Sequence, residues 1–148
     1  MKRKRNGCNY INQEAVPADM KLLRERIIDR VLKTSLQNSV YGYFHIRRGD
    51  AIHECDSSLP VLRKFLKCSL NGTEHFGKNI TILLGSDEID PSYRKRVLDL
   101  SKDYSYVKIL DADKITEHVL KNAIKSGFIH EGFKNNFYIY ELQKEPWR

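Results

Sequence analysis

One stretch of the chain, residues 40–50, joins an apolar segment directly to a cluster of charged residues. Its first part, residues 40–46, is rich in aromatic and β-branched residues and is apolar apart from Gly42 and His45. This composition is typical of a strand. A strand that is apolar on both faces is expected inside a parallel sheet covered by helices. We therefore predict a buried strand that ends directly at a charged loop.

The charged loop begins with two arginines, a glycine and an aspartate: Arg47, Arg48, Gly49 and Asp50. In open α/β sheets, ligands bind beyond the carboxyl ends of the strands. Paired guanidinium groups at that position suit a phosphate or diphosphate, and a glycine lets the backbone approach such a ligand closely. The alternative is that both arginines simply pair with nearby acids, and the sequence leaves both interpretations open.

The rest of the chain alternates between helical and strand patterns. Helices are predicted at residues 17–36, 59–70, 91–101 and 115–126, and strands at residues 40–46, 78–84, 106–110 and 136–142. Such alternation indicates a parallel sheet with helices on both faces and right-handed crossovers. We predict an α/β fold: a Rossmann-like three-layer α/β/α domain over residues 17–148, with about four mainly parallel strands and a flexible basic tail at residues 1–16.

Apolar residues at helical spacing predict which face of each helix is buried. In the first helix they are Met20, Leu23, Ile27, Ile28, Val31 and Leu32, and in the second they are Leu62, Phe65, Leu66 and Leu70. Ser58 is a candidate N-cap for the second helix and Asp90 for the third, each followed by a proline in the first turn.

Polar residues also follow the second and third predicted strands. Ser86, Asp87 and Glu88 follow the second strand, and Asp111 and Asp113 follow the third. Because the carboxyl ends of parallel strands share one edge of a sheet, we expect these acids to converge with the two arginines. Asp111 and Asp113 fit the start of the next helix better than a metal-binding pair.

Composition sets broad limits on function. The chain has 148 residues and a net charge of +7, from 26 lysines and arginines against 19 aspartates and glutamates. A basic excess suits a phosphate-bearing ligand, nucleic acid or an anionic surface. Cys8, Cys55 and Cys68 follow no metal-binding spacing, which leaves a Cys55–Cys68 bridge or free thiols. No apolar run reaches the ~18 residues of a membrane span, and no signal peptide is visible.

Two segments of the chain resemble a known enzyme family. His-Ile-Arg-Arg-Gly-Asp at residues 45–50 resembles the HxRRxD-type motif of the fucosyltransferases that use GDP-fucose, which include the α1,2-, α1,6- and protein O-fucosyltransferases. Residues 80–88 are similar to the strand and Thr/Ser-Asp-Glu/Asp turn found downstream of that motif in several of these enzymes. The resemblance covers roughly residues 40–110.

The resemblance implies half of a GT-B fold, GDP-fucose as ligand and transfer without a metal or other cofactor. It implies that Arg47 grips the diphosphate, that Arg48 assists, and that His45 and Asp50 orient the arginines or touch the donor. Asp87 would bind the donor, support the arginines or act as a base toward the acceptor hydroxyl. The implied catalytic residues are Arg47 and Asp87, and the implied substrate-binding residues are His45, Arg47, Arg48, Gly49, Asp50, Ser86, Asp87 and Glu88.

The chain departs from this family in its length. The enzymes it resembles have two domains, a Ser-rich turn after the matching region, and usually an anchor or signal for the secretory pathway. We therefore expect a donor-binding domain or fragment that is incomplete for catalysis, with its acceptor unspecified. The alternative is a non-catalytic basic α/β module that binds RNA or other anionic polymers, although no known nucleic-acid-binding motif is matched.

Overall fold

The computed structural model describes residues 18–129, which form an α/β fold. Its main elements, in chain order, are α1 (Ala18–Thr34), β1 (Ser39–Ile46), α2 (Leu59–Leu70), β2 (Asn79–Ser86), α3 (Pro91–Asp99), β3 (Val107–Asp111) and α4 (Ala112–Lys125). Short 3-10 helices follow α2 and α3 at Thr73–Phe76 and Leu100–Asp103. The predicted α/β class is confirmed, and α2 has the predicted bounds.

The three strands form one open, parallel sheet in the order β1-β2-β3. Tyr43 of β1 lies opposite Leu83 of β2, which lies opposite Leu110 of β3. This register brings the carboxyl ends of all three strands to the same edge of the sheet. The predicted fourth strand at residues 136–142 and the predicted tail at residues 1–16 lie outside the described residues.

Helices lie on both faces of the sheet and make three layers. On one face, α2 and α3 pack against the sheet in a cluster that includes Leu66, Leu84 and Val97. On the other face, α1 and α4 pack on each other. Val31 of α1 also packs against Leu83 of β2. No helix within residues 18–129 combines the length and the apolar character needed to cross a membrane.

Side-chain caps explain where two of the helices begin. Asp90 accepts a hydrogen bond from the backbone N–H of Ser92 at 2.9 Å, which confirms it as the N-cap of α3. Asp111 accepts from the N–H of Lys114 at 3.1 Å and caps α4 in the same way. Ser58 is the N-cap residue of α2, as predicted, but its side chain makes no capping hydrogen bond.

The structure corrects the prediction that the first strand is buried. Among the described residues, β2 is the middle strand, and β1 pairs with β2 alone. Val40, Tyr41 and Tyr43 are all exposed, and Tyr41 keeps 48% of its surface in solvent. For Tyr41 and Tyr43, which share a face with Leu83 of β2, the reason is that the apolar clusters beneath α1 and α4 contain no residue of β1. Strand composition indicated burial, but the helices in residues 18–129 do not provide it.

Three apolar residues predicted to face the core are exposed instead. Ile28 and Leu32 of α1 are exposed because α1 packs mainly on α4 and only its inner side is covered. Phe65 of α2 is 57% exposed, and its ring stacks on Phe44 with 5.6 Å between ring centroids. The predicted stripes are therefore wider than the faces that the packing buries.

Candidate anion-binding site at the carboxyl edge of the sheet

The loops that follow β1 and β2 are joined by the side chain of Asp87. One carboxylate oxygen accepts a hydrogen bond from the backbone N–H of Arg48 at 2.6 Å, and the other accepts from the N–H of Gly49 at 3.0 Å. The hydroxyl of Ser86 adds a third link by donating to the carbonyl of Ile46 at 2.7 Å. The expected convergence of the two charged loops is therefore present in the structure.

The two backbone donors also affect the chemistry of Asp87. The hydrogen bond from the Arg48 backbone is the largest cause that holds the pKa of the Asp87 carboxyl below its ordinary value, since it stabilises the ionised form. A Cβ added at Gly49 would lie 2.9 Å from an Asp87 carboxylate oxygen. The sequence suggested that this glycine lets the backbone approach a phosphate ligand closely. In the structure, the group that lies close to the glycine backbone is the carboxylate of Asp87.

Arg48 is held in place by three neighbours. Its Nε donates to Glu88 at 2.6 Å, and its guanidinium lies over the ring of Tyr93, 4.0 Å from the ring centroid. A further nitrogen lies 3.3 Å from the hydroxyl of Ser57. Pairing with nearby acids, the simpler interpretation of the sequence, therefore describes Arg48, which pairs with Glu88, and also Arg47, which pairs with Asp50. The pKa of Glu88 is lowered by hydrogen bonds from the Asp90 backbone first and from Arg48 second.

Arg47 differs from Arg48 in its exposure. Its side chain is 65% exposed, and it makes a two-pronged ion pair with Asp50 three residues later on the same loop. Hydrogen bonding from Arg47 is the largest cause of the lowered pKa of Asp50. Because exposed ion pairs contribute little stability, Arg47 can change partners at small cost.

His45 lies on an exposed face of β1 and is not a core histidine. Its ring stacks with Tyr43, with 6.2 Å between ring centroids. The ring of Tyr43 extends across Gly85, where an added Cβ would lie 3.0 Å from the ring carbon Cζ and would overlap the hydroxyl oxygen. The residues at this end of β1 thus form an aromatic surface beside the two charged loops.

Sequence analysis missed the residue that anchors the second loop, Arg94. This arginine of α3 is buried, and it donates to the carboxylates of both Asp111 and Asp113, with 2.9 Å from its Nε to Asp111. It also donates to the backbone carbonyls of Ser86 at 3.0 Å and Glu88 at 3.1 Å. These acids hold the pKa of Arg94 above its ordinary value, the hydrogen bond to Asp111 being the largest cause.

The position of Arg94 in its helix is the sequence feature that could have revealed this role. It lies between the buried residues Tyr93 and Val97 on the inner side of α3, where an arginine needs a partner. Asp111 and Asp113 supply that partner, and Asp111 also caps α4 as expected. Within residues 18–129, no group of three histidine, cysteine, aspartate or glutamate side chains is arranged to hold a metal ion.

An open cavity of about 400 Å³ lies next to the two loops, on the side of Arg48. Its lining includes a second arginine, an aromatic ring and a thiol: Arg48, Ile52, Cys55, Tyr93 and Arg96. Cys55 and Cys68 are both exposed free thiols, so the alternative of a bridge between them is not what the structure contains.

Comparison of the chain with protein-family models, curated proteins and solved structures finds no match. The resemblance of residues 45–50 and 80–88 to the fucosyltransferase motifs therefore stays a prediction from those segments.

Loss of Arg94 is expected to destabilise the whole domain. Arg94→Met would leave Asp111, which is 7% exposed, as a buried charge without its guanidinium partner. Breaking a buried pair from one side costs about 3–5 kcal/mol. Arg96→Met is a matched control, because Arg96 lies on the same helix and is exposed. Denaturant unfolding measures both variants, and equal losses of unfolding free energy would contradict the assigned role of Arg94.

The carboxylates at the two loops predict a defined acid sensitivity. Asp50, Asp87 and Glu88 all have lowered pKa values in the fold. A group with a lowered folded pKa stabilises the protein above its unfolded pKa of about 4, and that stabilisation disappears as the pH falls through the folded pKa. Unfolding free energy should therefore fall with pH below about 4 in the wild type.

Asp87→Asn removes one of these titrating groups, so its unfolding free energy should depend less on pH in that acid range than the wild type's does. Asp29→Asn, on the exposed side of α1, is the control and should keep the wild-type dependence. Denaturant unfolding at several acid pH values measures the slopes. A wild-type slope in the Asp87 variant would contradict the importance of its two backbone hydrogen bonds.

Proposed function

We propose that the loops at residues 47–50 and 86–88 bind the diphosphate of a nucleotide sugar, and that this nucleotide sugar is GDP-fucose. The observation that supports the proposal most directly is the contact of Asp87 with the backbone of Arg48 and Gly49. That contact joins the loop that carries both arginines to the loop after β2, and Arg48 of the arginine loop lines an open cavity. The choice of GDP-fucose rests on the resemblance of the arginine motif to that of fucosyltransferases.

In this proposal, Arg47 is the residue that grips the diphosphate. Its exposed guanidinium would exchange Asp50 for phosphate oxygens, which arginine can hold through two parallel hydrogen bonds. During sugar transfer, negative charge builds up on the departing diphosphate, and a preorganised cation stabilises that charge. Arginine would then do what a divalent cation does in metal-dependent transferases.

Arg48 and Asp87 have supporting roles in the proposal. Arg48 is oriented by Glu88 and Tyr93 and forms one wall of the cavity, which is within the volume range of small-ligand sites. The cavity would receive a group attached to the diphosphate. Asp87, with its lowered pKa and two backbone donors, is a weak base, so we assign it to holding the arginine loop.

The proposed reaction class is glycosyl transfer, with this chain contributing the donor-binding half of a fucosyltransferase-like GT-B enzyme. The acceptor would be bound by a part of the enzyme beyond the described residues.

Binding of GDP to the purified chain tests this proposal. Arg47→Ala should raise the dissociation constant for GDP about 10- to 100-fold, since one hydrogen-bonded contact to a charged group contributes about 1.5–3 kcal/mol. Arg63→Ala is the matched control, because Arg63 is 67% exposed and also faces an aspartate, Asp103. Isothermal titration calorimetry on folded protein measures all three dissociation constants.

Two results would contradict the proposal. One is no detectable GDP binding by a chain that is demonstrably folded. The other is that Arg47→Ala and Arg63→Ala weaken GDP binding equally, together with steeply salt-dependent binding of arbitrary oligonucleotides. That second pattern is the signature of a nonspecific polyanion-binding surface, and it would favour the alternative function.

A further inference from the structure

The guanidinium of Arg48 is fixed in one orientation at the wall of the cavity. One of its faces lies over the ring of Tyr93, 4.0 Å from the ring centroid. Its edges are also engaged, since Nε donates to Glu88 at 2.6 Å and a terminal nitrogen lies 3.3 Å from the hydroxyl of Ser57. The Arg48 side chain is nevertheless 24% exposed, and it lines the open cavity. Arg48 therefore presents a flat, delocalised cation to any ligand there.

The cavity wall also has an apolar component. Ile52, in the loop between β1 and α2, lines the cavity and keeps 45% of its surface exposed. Leu59 and Pro60, at the start of α2, line it as well. Apolar groups beside a fixed planar cation favour a ligand group that is itself flat and aromatic. The nucleobase is the part of a nucleotide sugar that has this character.

Several polar groups of the cavity wall already have partners within the protein. The hydroxyl of Tyr93 donates to the carbonyl of Ser57 at 2.6 Å, and a carboxylate oxygen of Asp56 accepts from the N–H of Ser58 at 2.9 Å. A sugar that entered the cavity would lose hydrogen bonds from water to its hydroxyl groups unless the wall replaced them. The cavity therefore suits a flat ring better than the hydroxyl-rich sugar of the donor.

Guanidinium planes stack on nucleobases as well as on aromatic side chains. We infer that the cavity beside Arg48 binds the nucleobase of the nucleotide sugar, with the Arg48 guanidinium stacked between the base and the ring of Tyr93. The inference rests on the proposed function and adds to it, because it states which part of the nucleotide occupies the cavity. Arg48 is thereby a binding residue for the base, as Arg47 is for the diphosphate.

This assignment divides one ligand between two neighbouring arginines. Arg47 holds the diphosphate by exchanging its exposed ion pair with Asp50, and Arg48 holds the base on a plane that Glu88 and Tyr93 fix. Because stacking uses the π-face that every base has, the plane itself selects for a flat ring rather than for one particular base. The donor sugar, at the other end of the diphosphate, lies outside the cavity.

Isothermal titration calorimetry with GDP and with ribose 5-diphosphate, which lacks the base, tests the inference. The dissociation constant for GDP should be about 5- to 150-fold lower, which is the range that stacking of one base contributes. Ile52→Ala removes an apolar contact to the base and should reduce this ratio. Val61→Ala is the matched control and should keep the wild-type ratio, because Val61 is similarly exposed, at 40%, but does not line the cavity.

Alkylation of thiols by N-ethylmaleimide, read peptide by peptide in mass spectrometry, locates the base independently. Cys55 and Cys68 are both exposed free thiols, but of these two only Cys55 lines the cavity. Saturating GDP should slow the alkylation of Cys55, since thiol modification follows access. Saturating ribose 5-diphosphate should leave the rate of the free protein. Cys68 is the internal control and should react at one rate under all three conditions.

Protection of Cys55 by GDP but not by ribose 5-diphosphate, together with tighter binding of GDP, supports the inference. Equal dissociation constants for the two ligands overturn it while diphosphate binding stands, and so does tighter GDP binding that leaves Cys55 unprotected. Protection of Cys55 by GDP-fucose but not by GDP also overturns it, because the donor sugar would then occupy the cavity. Absence of binding by either ligand overturns the proposed function together with the inference.

Discussion

The hydrogen bonds from Arg48 and Gly49 to Asp87 are the contact on which the carboxyl edge of the sheet depends. They join the loop after β1 to the loop after β2 through a carboxylate whose charge is stabilised by two backbone N–H groups. Charge-assisted hydrogen bonds of this kind are stronger than neutral ones. With the two loops joined, Arg48 is brought to Glu88 and Tyr93, and the cavity beside it has a defined wall.

The three arginines near this edge differ in what surrounds them, and this difference suggests a division of roles. Arg94 is buried and fully engaged with carboxylates and carbonyls, so it stabilises the framework. Arg48 is half-buried, and its guanidinium is oriented by an acid and a ring. Arg47 alone among these three is mostly exposed, with a partner on its own loop that solvent also reaches. A ligand anion can therefore compete for Arg47 without disturbing the fold.

Local sequence patterns predicted the helices and strands better than they predicted which side chains are buried and what those side chains contact. Helix α2 and the Asp90 cap follow from residues close together in sequence. The alternation of helices and strands, which predicts a parallel sheet, was enough to predict that Asp87 would approach the arginine loop. The exposure of β1 and Phe65 depends on which helix packs where, and periodicity does not encode that choice. Arg94 was missed for a related reason, since its partner Asp111 is 17 residues away and the pair forms only after α3 packs on the sheet.

The central claim is that an anion binds at these two loops, and chemical-shift mapping with GDP tests it most directly. In a ¹⁵N NMR titration, the largest shifts should fall on the backbone amides of residues 47–50 and 86–88, and on the residues lining the cavity beside Arg48. Arg47→Ala should suppress those shifts. Saturable shifts centred elsewhere, for example along the exposed face of α1, with residues 47–50 unmoved, would contradict the account.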